Sequence, residues 1–440
     1  SPAFSLLSGL VGSEMCIRDS VKDEKQVPFE KLSNDVTGIN FSNIITPDIE
    51  TSENLFDYDY FYNGSGVGIA DINNDGLKDV LFTANQEMNR LFLNKGNLTF
   101  EDITESSNIN SKNKKWSSGV TFADVNNDGW LDIYISQGGP YDSNSRKNLL
   151  LINNQNLTFS EKAEEYGLDD NGISTQSAFF DFDKDGDLDC VVMNENEFYG
   201  YDPISFFKKY ENKSVLMENS SHLYEQKDGK FINITEKAGL LSPTFGLGLC
   251  ISDINNDNWP DIYIANDYYV KDAMYINNQD GTFTNQIKKS TKQISFYGMG
   301  VDIEDINNDN LSDIFVLDMA SSDHVRSKTL MASMNTSNFD LITNKLDQHY
   351  QYMFNSLQLN LGNDKYHNIS HQLNIAKTDW SWAGLIFDYN LDGNEDIFVT
   401  NGYRKYGSDN DSRIRTVSYT HLRAHETRED RGCRGGGEKK

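Results

Sequence analysis

Cysteine, proline and long apolar runs are scarce in this chain, and each scarcity excludes something. Four cysteines in 440 residues cannot supply a disulfide framework. Seven prolines rule out a collagen-like or polyproline architecture. No apolar run approaches the roughly 20 residues that a membrane helix needs, and mean hydropathy is −0.60. Basic residues are also few: 39 stand against 67 acidic ones, a formal charge of −28. Such a surface repels phosphate backbones, so nucleic acid is not an expected partner. Yet 37% of residues are hydrophobic and 12% aromatic, too many for a disordered acidic chain.

The two ends do not read like the middle. Leu7 to Ser20 and Thr416 to Glu429 are related as reverse complements at the codon level, residue i pairing with residue 436 − i. Met15 to Asp19, read as codons, gives Val417 to His421 on the opposite strand. The relation fails beyond both segments, at Val21 with Arg415 and at Leu6 with Asp430. The expectation is that residues 1–20 and 416–440 are library-derived sequence, excluded from fold reasoning. Residues 21–415 are then a truncated stretch of a longer protein. Within them Cys190 and Cys250 remain, in the apolar runs CVVM and LGLCIS, where buried small hydrophobes are expected.

That stretch repeats itself six times. GVGIADINNDGLKDVLFTAN begins at Gly66, and its relatives begin at Gly119, Ala178, Gly246, Gly298 and Trp382. The first acidic residue of each copy is Asp71, Asp124, Asp181, Asp253, Asp305 and Asp388, at spacings of 53, 57, 72, 52 and 83 residues. Runs apolar on both alternations flank each loop, as in Asp132-Ile133-Tyr134-Ile135, which reads as a strand buried on both faces. Between loops comes a strand, a Gly or Asn turn and a shorter strand, as in NRLFLNKGNLTFEDIT from Asn89. One repeat is thus a four-stranded unit that cannot bury both faces alone. The expected fold is all-β: a β-propeller of four-stranded blades, about six here with the last incomplete. A solenoid of similar sheets is the alternative. The two long spacings predict insertions over about 194–221, rich in Tyr and Phe, and about 319–352, with a short helix or two. The segment Phe29–Leu32 with Thr37-Gly38-Ile39 echoes the outer-strand motif and is expected to supply the outer strand of the last blade.

The loop consensus D-x-[DN]-x-D-[GN]-x-x-D has the chemistry of a hard-cation site. Calcium takes six to eight oxygens from carboxylates, amides and backbone carbonyls, whereas magnesium holds to strict octahedral geometry. Positions 1, 3, 5 and 9 offer side-chain oxygen and position 7 a carbonyl. The candidate ligands in the first loop are Asp71, Asn73, Asp75, Leu77 and Asp79; in the second, Asp124, Asn126, Asp128, Trp130 and Asp132. The third and most acidic loop offers Asp181, Asp183, Asp185, Asp187 and Asp189. The fourth offers Asp253, Asn255, Asp257, Trp259 and Asp261; the fifth, Asp305, Asn307, Asp309, Leu311 and Asp313; the sixth, Asp388, Asn390, Asp392, Asn394 and Asp396. Gly76 permits a sharp bend at position 6, and Asn258 and Asn310 tolerate the same left-handed backbone. No Glu stands at position 12 and β structure follows, so these are not EF-hands. Up to six calcium ions are expected, and because high affinity gain needs abundant calcium, the setting is expected to be secreted or cell-surface.

At these loops the sequence resembles the FG-GAP/VCBS repeat family, the calcium-loop β-propellers also found in integrin α-chain heads, and within it the bacterial CRTAC1-like proteins. Tyr60 to Gly64, Phe100 to Thr104, Thr175 to Asp189 and Thr378 to Trp382 carry the likeness. The resemblance implies a seven-bladed propeller, secreted or surface-held, mostly without enzymatic activity. Other motifs read blandly. Gly64 to Gly68 lacks the Lys and helix of a phosphate loop and is a glycine-rich start of a strand. His367 and His371 are read as surface histidines, and Trp380 and Trp382 as strand packing rather than sugar platforms. No acid, base or nucleophile converges outside the loops. The functional expectation is a calcium-binding extracellular module for a protein or polysaccharide ligand; the alternative is a propeller-based polysaccharide lyase or hydrolase.

Overall fold

The computed structural model describes residues 30–402 apart from 56, 111–115 and 330–335. The proposed library-derived segments, residues 1–20 and 416–440, lie outside the described residues. The expected blades form. The first has strands Val67–Ala70, Asp79–Phe82, Arg90–Asn94 and Phe100–Asp102, each antiparallel to the next. The second, third, fourth and fifth repeat this order, with second strands Asp132–Gln137, Asp189–Asn194, Asp261–Asn266 and Asp313–Val316. A sixth is represented by Asp379–Phe387 paired with Asp396–Asn401, and Met319–Ala320 adds to its first strand. The described residues therefore hold five four-stranded blades and an incomplete sixth, where the family resemblance implied seven.

Period-two side-chain alternation explains why these strands read apolar throughout. Ile133 and Ile135 pack against Leu81 and Leu91 of the first blade. Tyr134, between them, packs against Cys190 and Val192 of the third. Val191 and Met193 then meet Ile262 and Ile264 of the fourth blade, and Tyr263 meets Ile314 of the fifth. The second strands of the second to fifth blades thus each belong to two interblade cores, and none could be covered within a single blade. Cys190 is a fully buried free thiol in one such core and Cys250 a partly buried one.

First strands approach each other too closely for side chains. A Cβ on Gly119 would lie 2.5 Å from the carbonyl oxygen of Thr175 in the next blade. Gly66, in the glycine-rich segment, stands 2.6 Å by the same measure from Ser118 O. The phosphate-loop look of that segment is a packing requirement.

Both insertions carry helices. The first holds Pro203–Lys209, capped by Asp202 through the Ile204 and Ser205 amides, and Lys213–Glu218. The second holds Arg326–Thr329, Thr336–Asp340 and a π-helical stretch, Leu341–Lys345.

One expectation is corrected. Residues 30–33 form no strand, and the chain goes directly into a helical turn, Asn34–Thr37. The sixth blade presents no third strand among the described residues for them to pair with. Gly38 still packs on Phe100 O, as Gly167 packs on Phe231 O and Gly239 on Phe283 O after the outer strands of the second and third blades. The segment therefore occupies the post-blade turn without the strand that precedes it elsewhere.

After that turn, residues 43–55 and 57–63 form a strap that crosses one end of the blades. Asn43 donates to Asn85 of the first blade, and Ser52 to Pro140 O beside the second. Tyr58 then reaches Glu195 after the third, and Tyr60 reaches Asp267 after the fourth. The chain returns at Gly66, whose amide donates to Thr83.

Candidate metal centres

All six acidic loops sit at the end of the blades opposite the strap. First strands run into them and second strands run out. Their geometry repeats almost atom for atom. The position 1 carboxylate accepts from the amides of positions 5 and 6: Asp71 from Asp75 (3.1 Å) and Gly76 (2.8 Å), Asp124 from Asp128 and Gly129, Asp253 from Asp257 and Asn258. Asp181, Asp305 and Asp388 do the same. The position 5 carboxylate accepts from the amide of position 7 in every loop, as Asp128 does from Trp130 at 2.9 Å. Position 6 is left-handed throughout, including Asn258 (φ 68°) and Asn310 (φ 67°), as its composition implied.

Position 4 is left-handed as well, which the consensus did not reveal. Asn74, Asn127, Asn256 and Asn308 lie at φ 56–60°, but Lys184 and Leu391 adopt the same conformation. Two of these asparagines also join neighbouring loops: Asn74 donates to Gly129 O at 3.0 Å and Asn256 to Asn310 O at 2.7 Å. Lys184 reaches sideways instead, its ammonium 4.6 Å from the centre of the Trp259 ring.

Position 9 differs from the others. Asp79, Asp132, Asp189, Asp261 and Asp313 are all 0–1% exposed. One oxygen of each accepts from the position 2 amide and the other from an amide in the third strand of the blade. The residue expected to close a metal shell is thus first a clamp that fixes the loop to its sheet. Each oxygen keeps a second lone pair for a cation. Burial, with the other loop carboxylates adding repulsion, pushes Asp132 and Asp313 up to about 6 and Asp189 and Asp261 up to about 7. In the sixth loop Asp396 is only partly buried and one of its carboxylate oxygens has no partner.

The third loop shows most clearly what these residues can hold. Oxygens of Asp181, Asp183 and Asp189 lie within 4.8 Å of one another. The other five loops carry Asn at position 3, so a carboxylate there is particular to this one. One carboxylate oxygen of Asp183 and one of Asp187 are buried without a hydrogen-bond partner. Desolvation raises both carboxyls, Asp187 to about 6, with neighbouring loop carboxylates adding to it. Buried, unpartnered, mutually repelling oxygens are the environment that a hard cation relieves, so the residues fit a divalent ion. The remaining position 7 residues, Leu77, Trp130, Trp259, Leu311 and Asn394, hold their places through backbone amides.

The opposite end holds a second feature, a cavity of about 590 Å³ between the strap and blades four to six. Asp59, Tyr60 and Tyr62 of the strap line it with Asp267, Tyr268, Tyr297, Met299, Met319, Trp380 and Trp382. Trp380 is packed with Met299 and Met319, as expected of a strand residue, while also walling the cavity. His367 and His371 are exposed and lie elsewhere. The sequence reading missed this site. Its only traces are the aromatic density of residues 58–62 and an acid just after the second strand in three consecutive blades: Glu195, Asp267 and Asp318. All three are buried.

A propeller whose blades each begin with an Asp-rich loop between first and second strands defines the class of this protein. The chain carries FG-GAP-like repeats: the profile of that repeat matches residues 62–135 and 253–316. Over 135 residues it is 31% identical to Cartilage acidic protein 1 of Xenopus tropicalis, a stretch that covers 30% of this chain and 20% of that protein. Among solved structures it is similar to an Agrocybe aegerita lectin described for its specific recognition of non-reducing terminal N-acetylglucosamine (TM-score 0.41, 15% identity, 76% of this chain and 73% of that one). It is also similar to the V. cholerae biofilm matrix protein Bap1 (TM-score 0.33, 13% identity, 59% of this chain and 35% of that one).

Proposed function

We propose that this chain is a calcium-stabilised, extracellular β-propeller that binds a polysaccharide or protein ligand and does not transform it. The observation that carries this reading is the division between the two ends of the blades. Oxygen-rich loops occupy one end, and an aromatic cavity under a strap occupies the other. The loops supply rigidity; the cavity supplies recognition. A binding role is favoured over lyase or hydrolase chemistry because the cavity's carboxylates already accept hydrogen bonds from tyrosines, Asp267 from Tyr60 and Asp59 from Tyr268. Among the described residues no Lys, Arg or His lines the cavity to serve as a general base or to bind an acidic sugar.

Two measurements test the parts separately. Terbium titrated into the protein and excited through tryptophan should emit, because Trp130 and Trp259 stand at position 7 of two loops. Calcium should quench that emission by competition, and Trp130→Phe with Trp259→Phe should abolish most of it; emission unchanged by both would remove the metal from these loops. A screen of immobilised oligosaccharides and extracellular proteins should yield a calcium-dependent binder with no product released. Turnover of any polysaccharide would replace binding with catalysis.

A further inference from the structure

The cavity's chemistry is more specific than its location. It is lined by the aromatic side chains of Tyr268, Tyr297 and Trp382 and by two methionines, Met299 and Met319. Its charged groups among the described residues are two carboxylates, Asp59 and Asp267. The Tyr60 hydroxyl, which could have offered a donor, points to Asp267 at 2.9 Å, and the Tyr268 hydroxyl points to Asp59 at 2.5 Å. Asp267 is 4% exposed and has no basic partner among the described residues. Arg326, in the insertion before the sixth blade, is paired with Asp379 at 2.7 Å. Arg146, which acts on Glu195, is paired with Glu197.

We propose that this cavity is a recognition site for an organic ammonium group, held between aromatic faces and the carboxylates of Asp59 and Asp267. A cation gains from the negative faces of several rings at once and gains more when those rings are shielded from water. Methionine sulfur is polarisable and tolerates a methylated or alkyl surface. A neutral sugar would meet the Tyr60 and Tyr268 hydroxyls already engaged with those carboxylates. An anion meets only repulsion. Burial, with Asp59 adding repulsion, raises Asp267 to about 7, and burial raises Asp318 to about 7 with Asp267 contributing. A bound ammonium would bring the missing positive charge. The volume exceeds that of an ammonium headgroup, so the ligand carries further structure, either an alkyl chain or an amino sugar.

This rests on the strap end being the binding face. The test uses calcium-loaded protein and calorimetric titration with choline, with its neutral carbon isostere dimethylbutanol, with glucosamine and with N-acetylglucosamine. Choline or glucosamine should bind at least about tenfold more tightly than its neutral counterpart, and which of the two binds better identifies the source of the ammonium. Asp59→Asn, at an exposed strap position, should weaken the cation about tenfold and leave the neutral compound unchanged. Asp267→Asn should do the same, with its melting curve recorded beside it. Equal affinity for charged and neutral partners would overturn the ammonium assignment while leaving the binding face standing. No binding of any of the four, together with a blank oligosaccharide and protein screen, would remove the binding face as well.

Discussion

Metal-free protein titrated with calcium should gain on the order of 10 °C in melting temperature, and a chelator should reverse the gain. The size follows from linkage. A site that sees calcium at 100 times its Kd stabilises the folded state by about 2.7 kcal/mol. Two occupied loops then supply about 5 kcal/mol, and each kcal/mol moves a domain of 150–250 residues by about 2–4 °C. The third loop should lead. It brings three carboxylates within 4.8 Å and leaves oxygens of Asp183 and Asp187 buried without partners. Asp183→Asn should therefore lower the calcium-dependent part of the melting temperature and change the metal-free value little, or even raise it by relieving repulsion. Superimposable melting curves in chelator and in millimolar calcium would refute the metal role of the loops. Magnesium is the specificity control, and a matching response to it would argue against a flexible, carbonyl-rich calcium shell.

Much of this architecture was legible because repetition multiplies weak signals. A single Asp-rich turn says little, but six in register, each between runs apolar on both alternations, require stacked sheets. The insertions were visible as breaks in that register. What the sequence concealed depends on contacts between blades. Nothing in DINNDGLKD distinguishes position 9 from positions 1 and 5, since all three are aspartate in every loop. Only the fold shows that Asp132 is buried between Val125 N and Asn153 N while Asp128 faces outward. The left-handed backbone at position 4 was hidden because Lys184 and Leu391 do not advertise it. The cavity was hidden for a stronger reason. Asp59 and Tyr60 are over 200 residues from Asp267 and Tyr268, and no periodicity links a strap to the ends of the strands it crosses. The N-terminal echo of the outer-strand motif misled in part: Gly38 keeps the packing position, but residues 30–33 do not pair as a strand.

The clamp role of position 9 makes the second large prediction, because it separates two functions that one carboxylate performs. Asp261 is fully buried and accepts from Ile254 N at 2.9 Å and Asn277 N at 2.7 Å. Asp261→Ala leaves both amides without an acceptor. Each orphaned buried donor costs about 1–3 kcal/mol, so the variant should lose roughly 2–6 kcal/mol even in chelator. The damage should spread, since the side chain of Asn277 also donates to Phe182 O of the preceding blade at 2.8 Å and ties the two blades together. Asp257→Ala is the contrast. It removes a more outward carboxylate that takes the Trp259 amide and contacts from the Asn255 and Gln279 side chains, none of them a buried backbone donor from another strand, and its effect should fall mainly in calcium-containing buffer. Asp261→Asn should fall between, keeping one acceptor and setting its amide against a backbone N–H. Chemical denaturation of the three variants with and without calcium distinguishes the roles. If Asp261→Ala were as stable as the parent in chelator and weaker only with calcium, position 9 would be a metal ligand and its two amide contacts would contribute little. If it lost stability equally in both buffers, the clamp would dominate, and the loop's acidity at that position would owe more to holding a sheet together than to holding an ion.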